Sequence, residues 1–190
     1  NIGLNNGATV NTGYTSSPHG VVDPLNFGEV YSGRALDFDG SNDYVSLSTA
    51  TSANWSWCAW GKADFTDSNW HEFYDQTVTS NDRITIAIVS NKFQMYDTAY
   101  RDSGYTLSDT NWHHYVITQT GTALNFYVDG SHQATVTGSG HSLGGNAYIG
   151  RYYPLTIEYW DGKISGVKIF HSVLTQAQIQ ELYTKPETVL

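Results

Sequence analysis

Residues 111–130, NWHHYVITQTGTALNFYVDG, leave the chain few ways to fold. Two apolar-alternating runs, 112–118 and 124–128, flank the turn residues Thr120, Gly121 and Thr122, the pattern of a β-hairpin with one buried and one wetter face. The second run ends at Asp129-Gly130, a dipeptide tolerant of positive φ, and a third strand follows over 133–137. An antiparallel meander is written into one continuous stretch, and the rest of the chain must extend that sheet or cover it.

The remaining composition fits an all-β domain. Aromatics make up 14% of the 190 residues, with 14 Tyr and 6 Trp, while 18 Gly and only 9 Lys and Arg favour sheets and turns over helices. A chain of this length buries roughly 70% of its unfolded surface in one core, so residues 1–190 are expected to form a single domain. The net charge of −9 repels a phosphate backbone, which argues against nucleic acid as a partner. Its acids are scattered through candidate turns, as on a solubilising surface. Cys58 is the only cysteine, so no internal disulfide is possible, and its place mid-strand between Trp57 and Ala59 suits a buried, inert thiol. No apolar run is long enough to span a bilayer, so no membrane insertion is expected. The chain begins at Asn1 without Met, as after processing or excision from a larger protein.

Four segments, in order, carry a resemblance: ALDFDGSNDYVSL at 35–47, WSWCAWGK at 55–62, WHHYVIT and GTALNFYVDGSHQATV within 112–136, and WDGKISGVKIFHSVLTQAQIQELY at 160–183. Together they resemble the laminin-G-like, concanavalin A-like lectin/glucanase domains, and AYIGR at 147–151 is similar to the I-G-R strand of that family. The resemblance implies an antiparallel two-sheet jelly-roll sandwich, and with it a family of lectins, enzymes and structural units.

Taken in order, residues 1–34 read as an N-terminal arm with one or two edge strands and a long loop. In 55–60, Trp55, Trp57 and Ala59 alternate with Ser56, Cys58 and Trp60, so both faces of that strand are bulky and it is central. Strands are expected over 70–75 and 83–89, the latter setting Ile84, Ile86 and Ile88 against Thr85, Ala87 and Val89. Phe93 and Met95 oppose Gln94 and Tyr96; residues 100–110 read as a loop, and Gly138-Ser139-Gly140 as a flexible turn. The returning strand, 162–170, sets Ile164, Gly166, Lys168 and Phe170 against Lys163, Ser165, Val167 and Ile169. One short helix over 174–184 is predicted by Thr175 with Gln178 as a capping box, Leu174 and Ile179 as a staple, and Lys185-Pro186 as a stop.

For catalysis, a glycosidase of this type needs acids on one face of a strand, as in E-x-D-x-E. Glu72 precedes Asp75 by three and Glu158 precedes Asp161 by three, both out of phase; Asp37 and Asp39 are in phase but run into a turn with no third acid. No enzyme is therefore expected. His113 and His114, adjacent on a strand, point to opposite faces and cannot share one metal, and no G-x-S-x-G elbow is present. The turn residues Asp39, Asn42 and Asp43 cluster hard oxygens and form the candidate Ca2+ site; the resemblance implies a structural Ca2+ near the sheet rim in many members, although Ser165 stands where the family's last strand carries Asp. A sugar ring needs an exposed aromatic face beside hydrogen-bonding groups. Tyr100, Tyr105, Tyr152 and Tyr153, which strand alternation does not account for, with Arg101 and Arg151 adjacent and Trp70 as a further candidate, are the expected ligand-binding residues.

These features lead to three readings. The first is a non-catalytic carbohydrate-binding or adhesion module with a glycan or polysaccharide partner, displayed on a cell surface, a secreted protein or a virion. The second is a structural or assembly domain, such as a phage virion decoration or fibre-associated unit, contacting other subunits through edge strands or the 1–34 arm. The third is a glycoside hydrolase or polysaccharide lyase, which the absent acid pair disfavours.

Overall fold

The central meander forms as the alternation dictates. In the computed structural model, which describes residues 4–6, 9–11, 35–65, 67–79, 82–153, 155 and 157–186, Trp112–Thr120 pairs on one side with Ala123–Val128 and on the other with Trp55–Ala63. Asp129 and Gly130 both take positive φ, 50° and 73°, giving the tight turn whose twist matches the strands it joins.

In chain order the described strands are β1 (Leu4–Asn6), β2 (Thr9–Asn11), β3 (Ala35–Asp39), β4 (Tyr44–Ser52), β5 (Trp55–Ala63), β6 (Trp70–Thr79) and β7 (Asp82–Val89). They continue as β8 (Lys92–Tyr96), β9 (Tyr100–Thr106), β10 (Trp112–Thr120), β11 (Ala123–Val128), β12 (Ser131–Thr137), β13 (Leu143–Ile149) and β14 (Asp161–Phe170), before the helix α1 (Gln176–Thr184). They form two seven-stranded antiparallel sheets: a front sheet ordered β1-β4-β13-β6-β7-β8-β9 and a back sheet ordered β12-β11-β10-β5-β14-β3-β2. The result is a jelly-roll sandwich. Of the 1–34 arm, β1 and β2 supply one edge strand to each sheet, while residues 12–34 lie outside the described residues.

The core between the sheets comes from one side of each strand: Trp55, Trp57 and Ala59 of β5, Tyr115 and Ile117 of β10, and Phe126 and Val128 of β11 meet Phe73, Tyr74, Ile84, Ile86, Ile88, Phe93 and Met95 of the front sheet. The other face of the back sheet is also covered. Cys58, Val116 and Tyr127 pack under Leu174, Ile179 and Leu182 of the C-terminal segment, and Tyr183 stacks on Trp60 at 5.6 Å. The capping box forms as the sequence predicts, with the Gln178 amide donating to the Thr175 hydroxyl at 3.3 Å. No helix among the described residues is long and apolar enough to cross a membrane.

The structure corrects the sequence reading at three points. Residues 100–106 are the edge strand β9 and not a loop. The Gly138-Ser139-Gly140 turn is a tie: Asp97, fully buried, accepts hydrogen bonds from the Ser139 amide at 2.6 Å and hydroxyl at 3.0 Å and pairs with Arg101 at 2.7 Å, holding the β8–β9 hairpin against the segment after β12. The alternation expected for β14 breaks at a register shift between Ser165 and Lys168, so that Val167 and Ile169 join Ile164 in facing the core.

Candidate functional site

The same device, a bulge, builds the chemistry of the front sheet. Glu72 pairs with Ala87 while Tyr74 pairs with Ile86, so the register shifts across Phe73, and Phe73 and Tyr74 both enter the core. The extra residue restores the phase that the spacing lacks, and Glu72 and Asp75 emerge together on the outer face. The expectation that these two acids are out of phase is therefore corrected. Consecutive aromatics at 73 and 74, in a strand otherwise alternating, are the trace of this in the sequence.

Both carboxyls are sealed from solvent, each at 0% exposure. Asp75 is partnered: it accepts from the Thr85 hydroxyl at 2.7 Å and the Tyr153 amide at 3.4 Å. Glu72 is not, and neither of its oxygens closes a well-formed hydrogen bond. Glu158, from the segment between β13 and β14, lies beside it, and its carbonyl accepts the Glu72 amide at 3.2 Å. Burial first, then the charges of Asp75 and Glu158, push the Glu72 carboxyl well above the ordinary carboxylate range, with Arg83 a lesser opposing influence. Burial likewise raises Glu158.

Two arginines, each set against tyrosine rings, flank these acids. The Arg83 guanidinium lies 4.0 Å from the Tyr96 ring centre and 4.7 Å from that of Tyr152, and donates to the Tyr152 hydroxyl. Tyr100 continues this group, 5.1 Å from Tyr96 and 5.0 Å from Trp70, both edge to face. Arg151 lies 3.9 Å over Tyr44 and 4.6 Å over Tyr148, and Tyr153 stacks on Tyr148 at 4.5 Å. Consecutive residues Tyr152 and Tyr153 thus reach different arginines. The two clusters make a band across the front sheet, in which Tyr100 is 46% and Tyr153 37% exposed.

Of the residues expected to bind ligand, Tyr152 lies against Arg83, Tyr100 joins that cluster through Tyr96 and Trp70 joins it through Tyr100, while Tyr153 and Arg151 form the second cluster. Arg101 is committed to Asp97 on the closed side, and Tyr105 is half-buried at the core edge, 5.9 Å from His113 and 6.3 Å from Tyr115. Arg83, Tyr96, Tyr44, Tyr148, Glu72 and Glu158 are additions that the sequence alone did not single out.

The candidate Ca2+ turn is differently occupied. Asp39 accepts the amides of Ser41 at 2.9 Å and Asn42 at 3.2 Å through one oxygen, and Asp43 accepts the Asp39 amide at 3.2 Å. Burial, then Asp39 and Asp37, raise the Asp43 carboxyl, and among the described residues no three His, Cys, Asp or Glu side chains are grouped to hold a metal ion. The turn in this conformation does not fit a Ca2+ ligand set. Asp37 pairs with Lys163 at 3.2 Å. His113 and His114 point apart as expected: His113 bridges Asp129 at 2.7 Å and Asp109 at 3.1 Å, whereas His114 is buried against Trp60, and burial, then Lys168, lower it to about 3. Burial lifts the Cys58 thiol to about 12, leaving it inert.

A two-sheet jelly roll with its helix against the back sheet and a rim of acidic turns defines a lectin-like sandwich. The chain belongs to the concanavalin A-like lectin/glucanases superfamily, whose laminin-G-type family matches residues 39–180. A search of curated proteins found no match. Among solved structures it is similar to a heptameric SAP-like pentraxin from Limulus polyphemus, with 16% identity over 78% of this chain and 81% of that one and a TM-score of 0.63. Domain 4 of AbnA, a GH43 extracellular arabinanase from Geobacillus stearothermophilus, in complex with arabinotriose, is similar at 16% identity over 80% and 77% of the two chains, TM-score 0.62. A putative carbohydrate binding protein from Bacteroides ovatus is similar at 17% identity over 76% of this chain and 45% of that one, TM-score 0.62. At these identities the likeness concerns the fold.

Proposed function

We propose that the protein is a non-catalytic carbohydrate-binding module, displayed on a cell surface, a secreted protein or a virion, that takes a glycan on the outer face of its front sheet. The observation that carries this is the band of Trp70, Tyr96, Tyr100, Tyr152, Tyr153 and Tyr148 interleaved with Arg83, Arg151 and Glu158. Rings offer apolar faces to sugar C–H groups, and the charged groups between them offer hydrogen bonds to hydroxyls. The presence of arabinotriose in one structural neighbour and the description of another as a putative carbohydrate binding protein support the reading. Supporting its non-catalytic part, Glu72 and Asp75 are closed off from solvent and so cannot meet a glycosidic bond in this conformation.

A glycan array, with and without Ca2+, tests the reading. The wild-type protein is expected to retain at least one polysaccharide class, and a Tyr100→Ala/Tyr153→Ala double variant to lose it. Binding of nothing by the wild type, or equal binding by the variant, overturns it, and release of reducing sugar from any bound polysaccharide overturns the non-catalytic part.

A further inference from the structure

The segment joining β13 to β14, described over 150–153, 155 and 157–160, runs along the front sheet as a strap, and its start carries the second arginine of the aromatic band. The Gly150 amide donates to the Phe73 carbonyl at 3.3 Å and the Gly150 carbonyl accepts the Trp160 amide at 2.9 Å, so the backbone that leads into Arg151 is held from two sides. Arg151 is only 9% exposed. Three rings surround it: its guanidinium carbon lies 3.9 Å from the ring centre of Tyr44, 4.6 Å from that of Tyr148 and 5.4 Å from that of Tyr153. Tyr153 and Tyr148 are themselves stacked, 17° from parallel, with Tyr153 the more exposed ring.

What the rings do not supply is an acceptor. Among the described residues the Arg151 side chain closes no hydrogen bond and no ion pair, and its Nε is sealed from solvent without a partner. Phenol faces attract a cation but leave its N–H groups, five in a planar fork, unfilled. Nor do the phenols neutralise it, because burial first, then Tyr153, outweighs Arg151 and raises the Tyr148 hydroxyl, which stays protonated. Asp75, opposite Tyr148 in the ladder, accepts from the Thr85 hydroxyl and the Tyr153 amide. The other arginines of the region are answered within the protein. Arg101, more exposed than Arg151, has Asp97 at 2.7 Å, and Arg83 donates to the Tyr152 hydroxyl with Glu72 and Glu158 beside it. Enclosing a charge without pairing it is costly, so the partner that Arg151 lacks is to be sought in a ligand.

We propose that Arg151 takes the carboxylate of a sugar acid, so that the glycan held on the front sheet carries an acidic residue; this deepens the reading above and rests on it. Of the Arg151 nitrogens only Nε is sealed, and the terminal pair at the edge of the fork is what a ligand meets. A planar carboxylate accepts two parallel N–H bonds from such an edge. The pyranose that bears it can then lay its C–H face on Tyr153. The net charge of −9 adds a limit. A continuous run of carboxylates is repelled, so acidic residues spaced along a mostly neutral glycan, or ending one, are preferred.

Isothermal titration of the full chain tests this with a uronic acid-bearing oligosaccharide, a sialylated one, the carboxyl-reduced form of each, and a sulfated oligosaccharide. The wild type is expected to bind an acidic probe about tenfold or more tighter than its reduced form, and Arg151→Gln to lose that margin while keeping its affinity for the reduced form. Whichever acid shows the margin identifies the source of the carboxylate. The wild-type comparison needs no variant, and so stands if Arg151→Gln does not fold. Equal affinity for acidic and reduced forms, an undiminished margin in folded Arg151→Gln, or equally tight binding of the sulfated probe overturns the carboxylate assignment and leaves the glycan reading standing. An array on which only neutral polysaccharides bind does the same, whereas an array that binds nothing removes both.

Discussion

Both outer faces of the sandwich carry aromatic rings and use them differently. On the back sheet, Trp60, His114, Cys58, Val116 and Tyr127 lie beneath Leu174, Ile179, Leu182 and Tyr183, and the ionisable groups there, His114 and Cys58, are held neutral by burial. On the front sheet the rings surround two arginines and a carboxyl without a partner, under a strap that leaves Tyr100 and Tyr153 exposed. A buried carboxyl without a partner lowers stability, and so does a charge-rich surface sealed by an irregular segment. Asp97, equally buried but bonded to Arg101 and Ser139, shows that the fold can satisfy such a group where only stability is at stake. The back face holds the molecule together, and the front face is arranged for something else.

The sharpest way to break that division is to exchange the penalties. Ile179→Ala, which removes a fully buried side chain from the helix seam, is expected to cost about 2–5 kcal/mol in urea unfolding and to leave glycan affinity of the folded fraction unchanged. Front-face variants that cost as much stability, or a seam variant that abolishes binding without unfolding, would erase the distinction.

The faces should also answer pH in opposite senses. His114 is lowered to about 3 in the folded state, so between there and its unfolded value near 6.5 the unfolded chain binds more protons; its contribution is intact above that window and lost as pH falls through it, on the order of 5 kcal/mol in full. Glu72 is raised, so its contribution is present below about pH 4.3 and lost as pH climbs through the folded value. His113, raised by Asp129 and Asp109 against the opposing effect of burial, adds to the alkaline limb, being stabilising below about pH 6.5 and less so above its folded value. Chemical denaturation across pH 3–9 should therefore show an acid limb that His114→Phe flattens and an alkaline limb that Glu72→Gln and His113→Gln each flatten in part. An acid limb unchanged in His114→Phe would place the weakness elsewhere.

A smaller effect separates the two exposed rings. Tyr100→Ala and Tyr153→Ala should each weaken binding by about 1 kcal/mol, roughly fivefold, with stability nearly unchanged, as isothermal titration against an array hit would show. If only Tyr100 matters, the site is the Arg83 cluster alone.

Much of the fold could be read from the chain because its signals are local. The 112–137 meander, the two-faced β5 and the capped α1 each lie within one window, and period-two alternation in the strands and the capping box in the helix place their residues correctly. The site was less legible for two physical reasons. Bulges at Phe73 and within 165–168 shift the phase of a strand by one residue, which inverts any inference from spacing, and so Glu72 and Asp75 looked apart while the structure sets them together. The other reason is range: Arg83, Tyr96 and Tyr148 share one face of the front sheet only because β13, β6, β7 and β8 are neighbours in it, an order that local patterns do not encode. On β9, alternation sends Tyr100 outward and Arg101 and Tyr105 elsewhere, a division invisible while 100–110 read as a loop.

The smallest expected effect concerns the acidic rim, which belongs to neither face. Burial, then Asp39 and Asp37, raise the Asp43 carboxyl; burial, then Asp64 and Asp39, raise that of Asp161; and Asp37 and Asp64 share Lys163, whose ammonium lies 3.2 Å from Asp37 and 3.7 Å from Asp64. Such a field attracts a divalent cation, yet Asp39 and Asp43 already close their own turn through hydrogen bonds to the amides of Ser41, Asn42 and Asp39. A cation would have to break those bonds and displace Lys163 before gaining its ligands, so 1 mM Ca2+ should raise Tm by less than about 1 °C, since stabilisation follows RT ln(1 + [L]/Kd). A rise of several degrees that disappears in Asp43→Asn would mean that the turn reorganises around the ion. The rim would then become a third functional region beside the two faces.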